Sequence, residues 1–397
     1  MNRLLHWLVP ARRRFADAAP SAVPPLPDGG DPHGAFARAD RAMQAWLAQG
    51  GAGWRVASCR VLQGGGRPDR AGAERFEFVL AGRSAQPRVA PRRLIARCLP
   101  PEHATGLAAK HVAVHAAAAG REGLFAVPQP VHVDAAESVL LQEPPRGRCL
   151  AEHGDQDLPA LARALAQCGM ALRELHELPA ALLAPGSGQA AEAPVSIAAH
   201  VAALMRPAPF AMAAQCAPLR RRVVQVMHDL MGAEAACGLV PPVPLNRGLH
   251  PGQVFVADDR VQFADWDGSG SGDAALDLAK LLLDVEQHWP AHAEPLQAAC
   301  LRGWLGGSRH AGLAPAEREQ ALAMRLHLYR AFHALRRACK AYRLECAVLP
   351  RTELHEEPAI PLGAMGLRRI GACLDAAELH LAACRRNAAL AGVDTRA

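Results

Sequence analysis

Aromatic residues are scarce: Phe, Trp and Tyr make up 4% of 397 residues, although half of the chain is hydrophobic. The interior must therefore be filled by Leu, Val and Ala, and Ala-rich stretches with Leu at helical spacing indicate a mostly helical body. The eleven cysteines include no Cys-x-x-Cys pair, and several, such as Cys168 and Cys373, lie inside apolar runs. That pattern argues against a disulfide frame or a zinc site and fits reduced core thiols in a cytoplasmic protein. No apolar run approaches the roughly 20 residues of a membrane span, and no internal repeat is present. Charge of neither sign dominates: 44 Lys and Arg against 38 Asp and Glu give a formal +6, thinly spread. The arginine runs Arg220, Arg221, Arg222 and Arg336, Arg337 lack interleaved aromatics, so they carry no nucleic-acid signature and read as solvated helix faces. At the start, the apolar residues precede Arg12, Arg13 and Arg14, the reverse of a signal peptide, and read as a frayed terminal helix.

What is present is a change of period along the chain. Residues 19–33 are dense in Pro, Gly and Asp and read as a linker, followed by a helix over 35–49. Short apolar or alternating runs at 55–62, 75–80 and 93–98 predict strands. An Ala-rich helix is expected over 106–119, closed by Gly120, and strands again at 131–133 and 138–143. After Pro144-Pro145-Arg146-Gly147 the pattern is helical: 158–178, 197–215, 219–237 and long stretches from 276 onward. One hairpin interrupts it, Val254-Phe255-Val256 and Val261-Gln262-Phe263, turned at Asp258-Asp259. The expectation is an α+β chain in three parts: 1–33 as terminal segment and linker, 34–143 as a small sheet domain, and 144–397 as a larger helical domain.

Three linked motifs then carry a resemblance. Asn246-Arg247-Gly248-Leu249-His250-Pro251-Gly252-Gln253, the hairpin, Ala264-Asp265-Trp266-Asp267 and Gly272-Asp273-Ala274-Ala275-Leu276-Asp277-Leu278-Ala279 occur in that order. They resemble the His-Gly-Asp-Leu-His-Pro-Gly-Asn loop, Ile-Asp-Trp-Asp strand and Gly-Asp-Pro-x-x-Asp-Leu-Ala helix start of the aminoglycoside phosphotransferase and choline kinase family. The resemblance implies a bilobal protein-kinase-like fold, with a five-stranded antiparallel small lobe, a larger helical lobe and a boundary near Pro144. It also implies ATP and Mg²⁺ as cofactors, with transfer of a phosphoryl group to a hydroxyl.

Carried over residue by residue, the resemblance makes Asp265 the metal-binding aspartate, with Asp267 as a second oxygen ligand and Gln253 at the position of the metal-binding asparagine. Arg97 stands at the lysine that grips the phosphates, and Gln142 and Glu143 lie in the strand-to-hinge stretch that meets the adenine. Gly64 and Gly65 belong to a candidate phosphate-covering turn. The orienting aspartate is replaced by Gly248, the leading histidine by Asn246, and no acid lies within 110–115 to pair with Arg97. His250 is a weak candidate proton donor, more simply a loop strut; His176 reads as a packed core histidine. Asp273 and Asp277 are expected to cap a helix and brace the loop. Two functions remain open: a pseudokinase that binds a nucleotide and a partner protein, or a slow phosphotransferase acting on a small-molecule hydroxyl. Nucleotide transfer such as adenylylation is a third.

Overall fold

Ala35, Ala39, Ala42, Met43 and Leu47 recur at helical spacing, and the computed structural model buries all five on one face of helix α1 (Ala35–Gln49). The residues described are 34–51, 53–63, 74–82, 90–183, 193–257, 260–306, 315–348 and 363–390. The expected terminal segment 1–33, Gly64 and Gly65, and the turn Asp258-Asp259 lie outside them.

Strands β1 (Trp54–Gln63), β2 (Glu74–Gly82) and β3 (Arg92–Cys98) are followed by helix α2 (Ala104–Ala119). Next come β4 (Phe125–Ala126), β5 (Pro130–Asp134), β6 (Val139–Gln142) and β7 (Arg148–Cys149). Five of these form an antiparallel sheet in the order β1-β2-β3-β6-β5. Alternation turns Phe76, Phe78 and Leu80 of β2, Leu94 and Ala96 of β3, and Val139 and Leu141 of β6 onto α1. Each large side chain so buried contributes about 1.5–3 kcal/mol. The alternate residue Leu140 packs instead with Leu99, Ala104 and Ala108 at the start of α2.

The remainder comprises α3 (Leu158–His176), α4 (Ile197–Leu204), α5 (Pro209–Gln215), α6 (Arg220–Cys237), β8 (Val243–Leu245), β9 (Val254–Val256), β10 (Val261–Phe263) and β11 (Gly270–Gly272). Helices α7 (Ala274–His288), α8 (Ala293–Leu305), α9 (Pro315–Val348) and α10 (Ala364–Leu390) complete it. No single helix among the described residues is long and apolar enough to cross a membrane. Helices α3 and α8 approach closely because glycines face them: a Cβ on Gly169 would stand 2.0 Å from the Cys300 carbonyl oxygen, and one on Gly303 2.0 Å from that of Ala166.

Several expectations are corrected. The single helix over 197–215 is two, since Pro207 and Pro209 have no N–H to continue the first. The hairpin is not isolated: β4 joins β10 in parallel and β7 joins β9, giving a four-stranded sheet β4-β10-β9-β7, while β8 pairs with β11. Arg336 and Arg337 do not lie on a solvated face. Arg336 Nη1 donates to the Arg247 carbonyl at 3.0 Å, and Arg337 Nη2 meets Asp284 Oδ1 at 2.6 Å. Arg222 reaches Asp375 and Glu378 of α10, and Arg220 the carbonyls that end α5.

Candidate functional site

The loop between β8 and β9 is braced from α7. Asp277, fully buried in the first turn of that helix, accepts from the amides of Asn246 and Arg247, both at 2.7 Å. Asp273 caps α7 by accepting from the Ala275 amide at 2.9 Å, and is itself held by Arg325 Nε at 2.8 Å. The bracing expected of these two aspartates is thus present. Asn246 ties the loop to the next segment: its Nδ2 donates to the carbonyls of Ala264 and Asp265, and its Oδ1 accepts from the Gly248 amide.

Arg247 has φ 63°, in the left-handed region, which costs a non-glycine residue about 1–2 kcal/mol. Three bonds hold it there: its amide to Asp277, its carbonyl from Arg336, and its Nη2 to the Ser271 carbonyl at 2.6 Å. The guanidinium lies against Gly270, where a Cβ would come within 2.3 Å of Cζ. The following Gly248 leaves open space: an ideal Cβ there meets only Asn246 Oδ1, at 3.7 Å. His250 Nδ1 accepts from the Gly252 amide at 3.1 Å, and burial, helped by nearby Lys280, pushes its pKa down to about 4, so it is a neutral strut. His176 is packed in the core and accepts from Trp304 Nε1.

Trp266 fixes the direction of its neighbours. Its ring is buried against Phe125 with Nε1 bonded to the Phe263 carbonyl, so Asp265 and Asp267 on either side turn toward the small sheet. Asp265, at φ 64°, receives Arg75 Nη2 on Oδ2 at 2.7 Å, Gln253 Nε2 on the same oxygen at 2.9 Å, and Arg97 Nη2 on Oδ1 at 3.4 Å. Asp267 pairs with the same Arg97 Nη2, whose Nη1 also reaches Gln142 Oε1. Burial opposes ionisation of Asp265, but Arg75 and Arg97 outweigh it and hold the carboxyl below its ordinary range. Arg75 and Arg97 face each other directly on β2 and β3. Like charges in that register repel, and the two aspartates relieve the repulsion.

Asp265, Asp267, Gln253, Arg97 and Gln142 therefore converge. Gly248 and His250 lie on the adjoining loop, and Glu143 stands apart, its carboxylate with Arg92 and Arg146. Residues 143–146 offer no free backbone N–H. The Glu143 amide is bonded to the Gln129 carbonyl, Pro144 and Pro145 have none, and the Arg146 amide is bonded to Gln262 Oε1. Reading the sequence missed Arg75, whose signal is its position across from Arg97, and Lys110 of α2, whose Nζ reaches the Ser269 carbonyl at 3.3 Å.

A five-stranded antiparallel sheet with one helix inserted, joined to a helical body whose hairpin presents two carboxylates to it, defines a protein-kinase-like fold. Solved structures share it. One is a choline/ethanolamine kinase family protein from Mesorhizobium loti, 20% identical, covering 88% of this chain and 99% of that one, with a TM-score of 0.52. Another is a thermostable mutant of aminoglycoside phosphotransferase APH(4)-Ia in its apo form, 17% identical, covering 83% and 98%, with a TM-score of 0.51. At such identities the likeness establishes the fold alone. No curated protein sequence matches the chain. Residues 79–315, more than half of the chain, match the phosphotransferase enzyme family, and the chain belongs to that family.

Proposed function

We propose that the chain is a pseudokinase, a family member that keeps the two-lobed framework and the nucleotide position but transfers no phosphoryl group, and that serves as a binding module for a partner protein or small molecule. Residues 34–143 form its small lobe and 144–397 its large lobe. What supports the reading is the resemblance that sets Gly248 at the orienting-aspartate position, in a loop braced by Asp277, Asn246 and Arg336. Loss of a positioned base lowers such rates by roughly 10²–10⁴-fold. Asp265 is no substitute, because its two arginine partners make it a weak proton acceptor.

The expected Mg²⁺ does not fit the side chains as they stand. In its favour, Gln253 Oε1 is buried without a partner beside Asp265. Against it, both carboxylates are already neutralised by Arg75 and Arg97. A divalent cation reaches these oxygens only by displacing both guanidiniums, and each of them about 4 Å away then repels it by about 8 kcal/mol at an effective dielectric of 20, which offsets the attraction of one carboxylate at that distance. One unpaired carbonyl is worth only about 1–3 kcal/mol. With the charges offset, that carbonyl is all that favours the cation, and no step is assigned to the metal.

The test is incubation of the full chain with ATP, Mg²⁺ and hydroxyl compounds including choline, ethanolamine and aminoglycosides, with ADP measured against a protein-free control. No ADP above the control is expected. Acceptor-dependent ADP formation that disappears in Asp265→Asn overturns the proposal and restores the slow phosphotransferase.

A further inference from the structure

We propose that the site around Asp265 and Asp267 binds a phosphate chain without a divalent cation, with Arg75 and Arg97 supplying hydrogen-bond donors. This rests on the pseudokinase reading and says what its cleft takes.

The hydrogen-bonding groups left over at the site decide the sign of the ligand. Arg75 Nε and Arg97 Nε are both buried and without hydrogen-bond partners, and the Arg97 side chain is only 3% exposed. Against these two donors stands one pure acceptor, Gln253 Oε1, while the Ser269 hydroxyl can donate or accept. A metal ion needs acceptors and leaves both N–H groups unsatisfied; a phosphate chain is made of acceptors and satisfies them. The charges agree. Arg75 and Arg97 balance Asp265 and Asp267, and Lys110 of α2, at the Ser269 carbonyl two residues beyond Asp267, adds one further cation on the same loop.

The base end of a nucleotide finds less. With the Glu143 and Arg146 amides taken and Pro144 and Pro145 lacking theirs, the stretch 143–146 has no free backbone N–H to donate to a purine ring. The phosphate chain, rather than the base, therefore supplies most of the recognition.

Calorimetric titration of the full chain with ATP and with inorganic tripolyphosphate, each in EDTA and in excess Mg²⁺, tests this. Both ligands are expected to bind in EDTA with affinities within about tenfold of each other, and Mg²⁺ is expected to leave them unchanged or weaken them. Arg97→Met should lose at least about tenfold. Arg75→Met, at a side chain 22% exposed, should weaken binding in the same direction and guards against a folding defect in the first variant. Binding of ATP only in Mg²⁺, binding of ATP but not tripolyphosphate in EDTA, or no binding of either ligand in either buffer each overturns the proposal. Turnover of ATP is scored separately, so a failure here leaves the absence of phosphoryl transfer standing or falling on its own assay.

Discussion

Replacing Asp265 by Ala removes the carboxylate that receives Arg75 and Gln253 on one oxygen and Arg97 on the other. Taking one partner from a buried ion pair typically costs 3–5 kcal/mol, about, because the remaining charge is left in a poorly solvated place. Two features reduce that here: Asp265 is 26% exposed, and Arg97 keeps Asp267 as a second partner. The expected loss is about 2–3 kcal/mol, borne mainly by Arg75 and by the Gln253 amide. Asp267→Ala, which leaves Asp265 to both arginines, should cost less, about 1 kcal/mol. Urea unfolding of the three proteins, compared at equal m-values, measures the differences. A change below about 0.5 kcal/mol for Asp265→Ala, or a larger loss for Asp267→Ala, refutes the assignment of Asp265 as the hub of the cluster.

Further expectations follow from the same geometry. Gly248→Asp has room for its side chain, so it should fold with a stability change within about 1 kcal/mol and still form no ADP, because Asp265 and Asp267 remain tied to the arginines. Asp277→Asn replaces a charged acceptor of two amides at the base of the loop and should cost about 3 kcal/mol in a denaturant titration. Gly169→Ala and Gly303→Ala each force a methyl into a carbonyl 2.0 Å away, so each should destabilise by 3 kcal/mol, about, or more, visible as a large fall in melting temperature. His200 is fully buried with both ring nitrogens unpartnered, and burial pushes its pKa down to about 4. The folded state therefore binds its proton less readily than the unfolded chain. Its contribution is present above pH 6.5, about the unfolded value, and is lost as pH falls toward 4, so His200→Phe should flatten the decline in stability across that window.

The framework was legible in the sequence where local pattern and core formation coincide. Alternating apolar residues located all five strands of the small sheet, because one face of each packs on α1 or α2. The helix break at 204–209 was written in Pro207 and Pro209 but was overridden by the apolar run around them. The strands β4, β7, β8 and β11 have two or three residues each, too few for a period, and exist because the hairpin and loop need backbone partners. At the site, Asp277 and Asp273 were readable as local helix-start residues. The engagement of Asp265 and Asp267 by Arg75 and Arg97 was not, since it depends on how β2 and β3 lie against a loop distant in the chain. Arg336 shows the same limit: an arginine pair on a helix looks solvated until the loop it supports is placed beside it.

We propose that Arg75 and Arg97 stand where the resemblance sets a divalent cation. Crystals grown with ATP and MnCl₂, measured at a wavelength where manganese scatters anomalously, test it directly. No anomalous peak is expected between Asp265, Asp267 and Gln253, with Arg75 and Arg97 still on the carboxylates. A manganese peak bridging Asp265 and Gln253, with the arginines turned away, contradicts it.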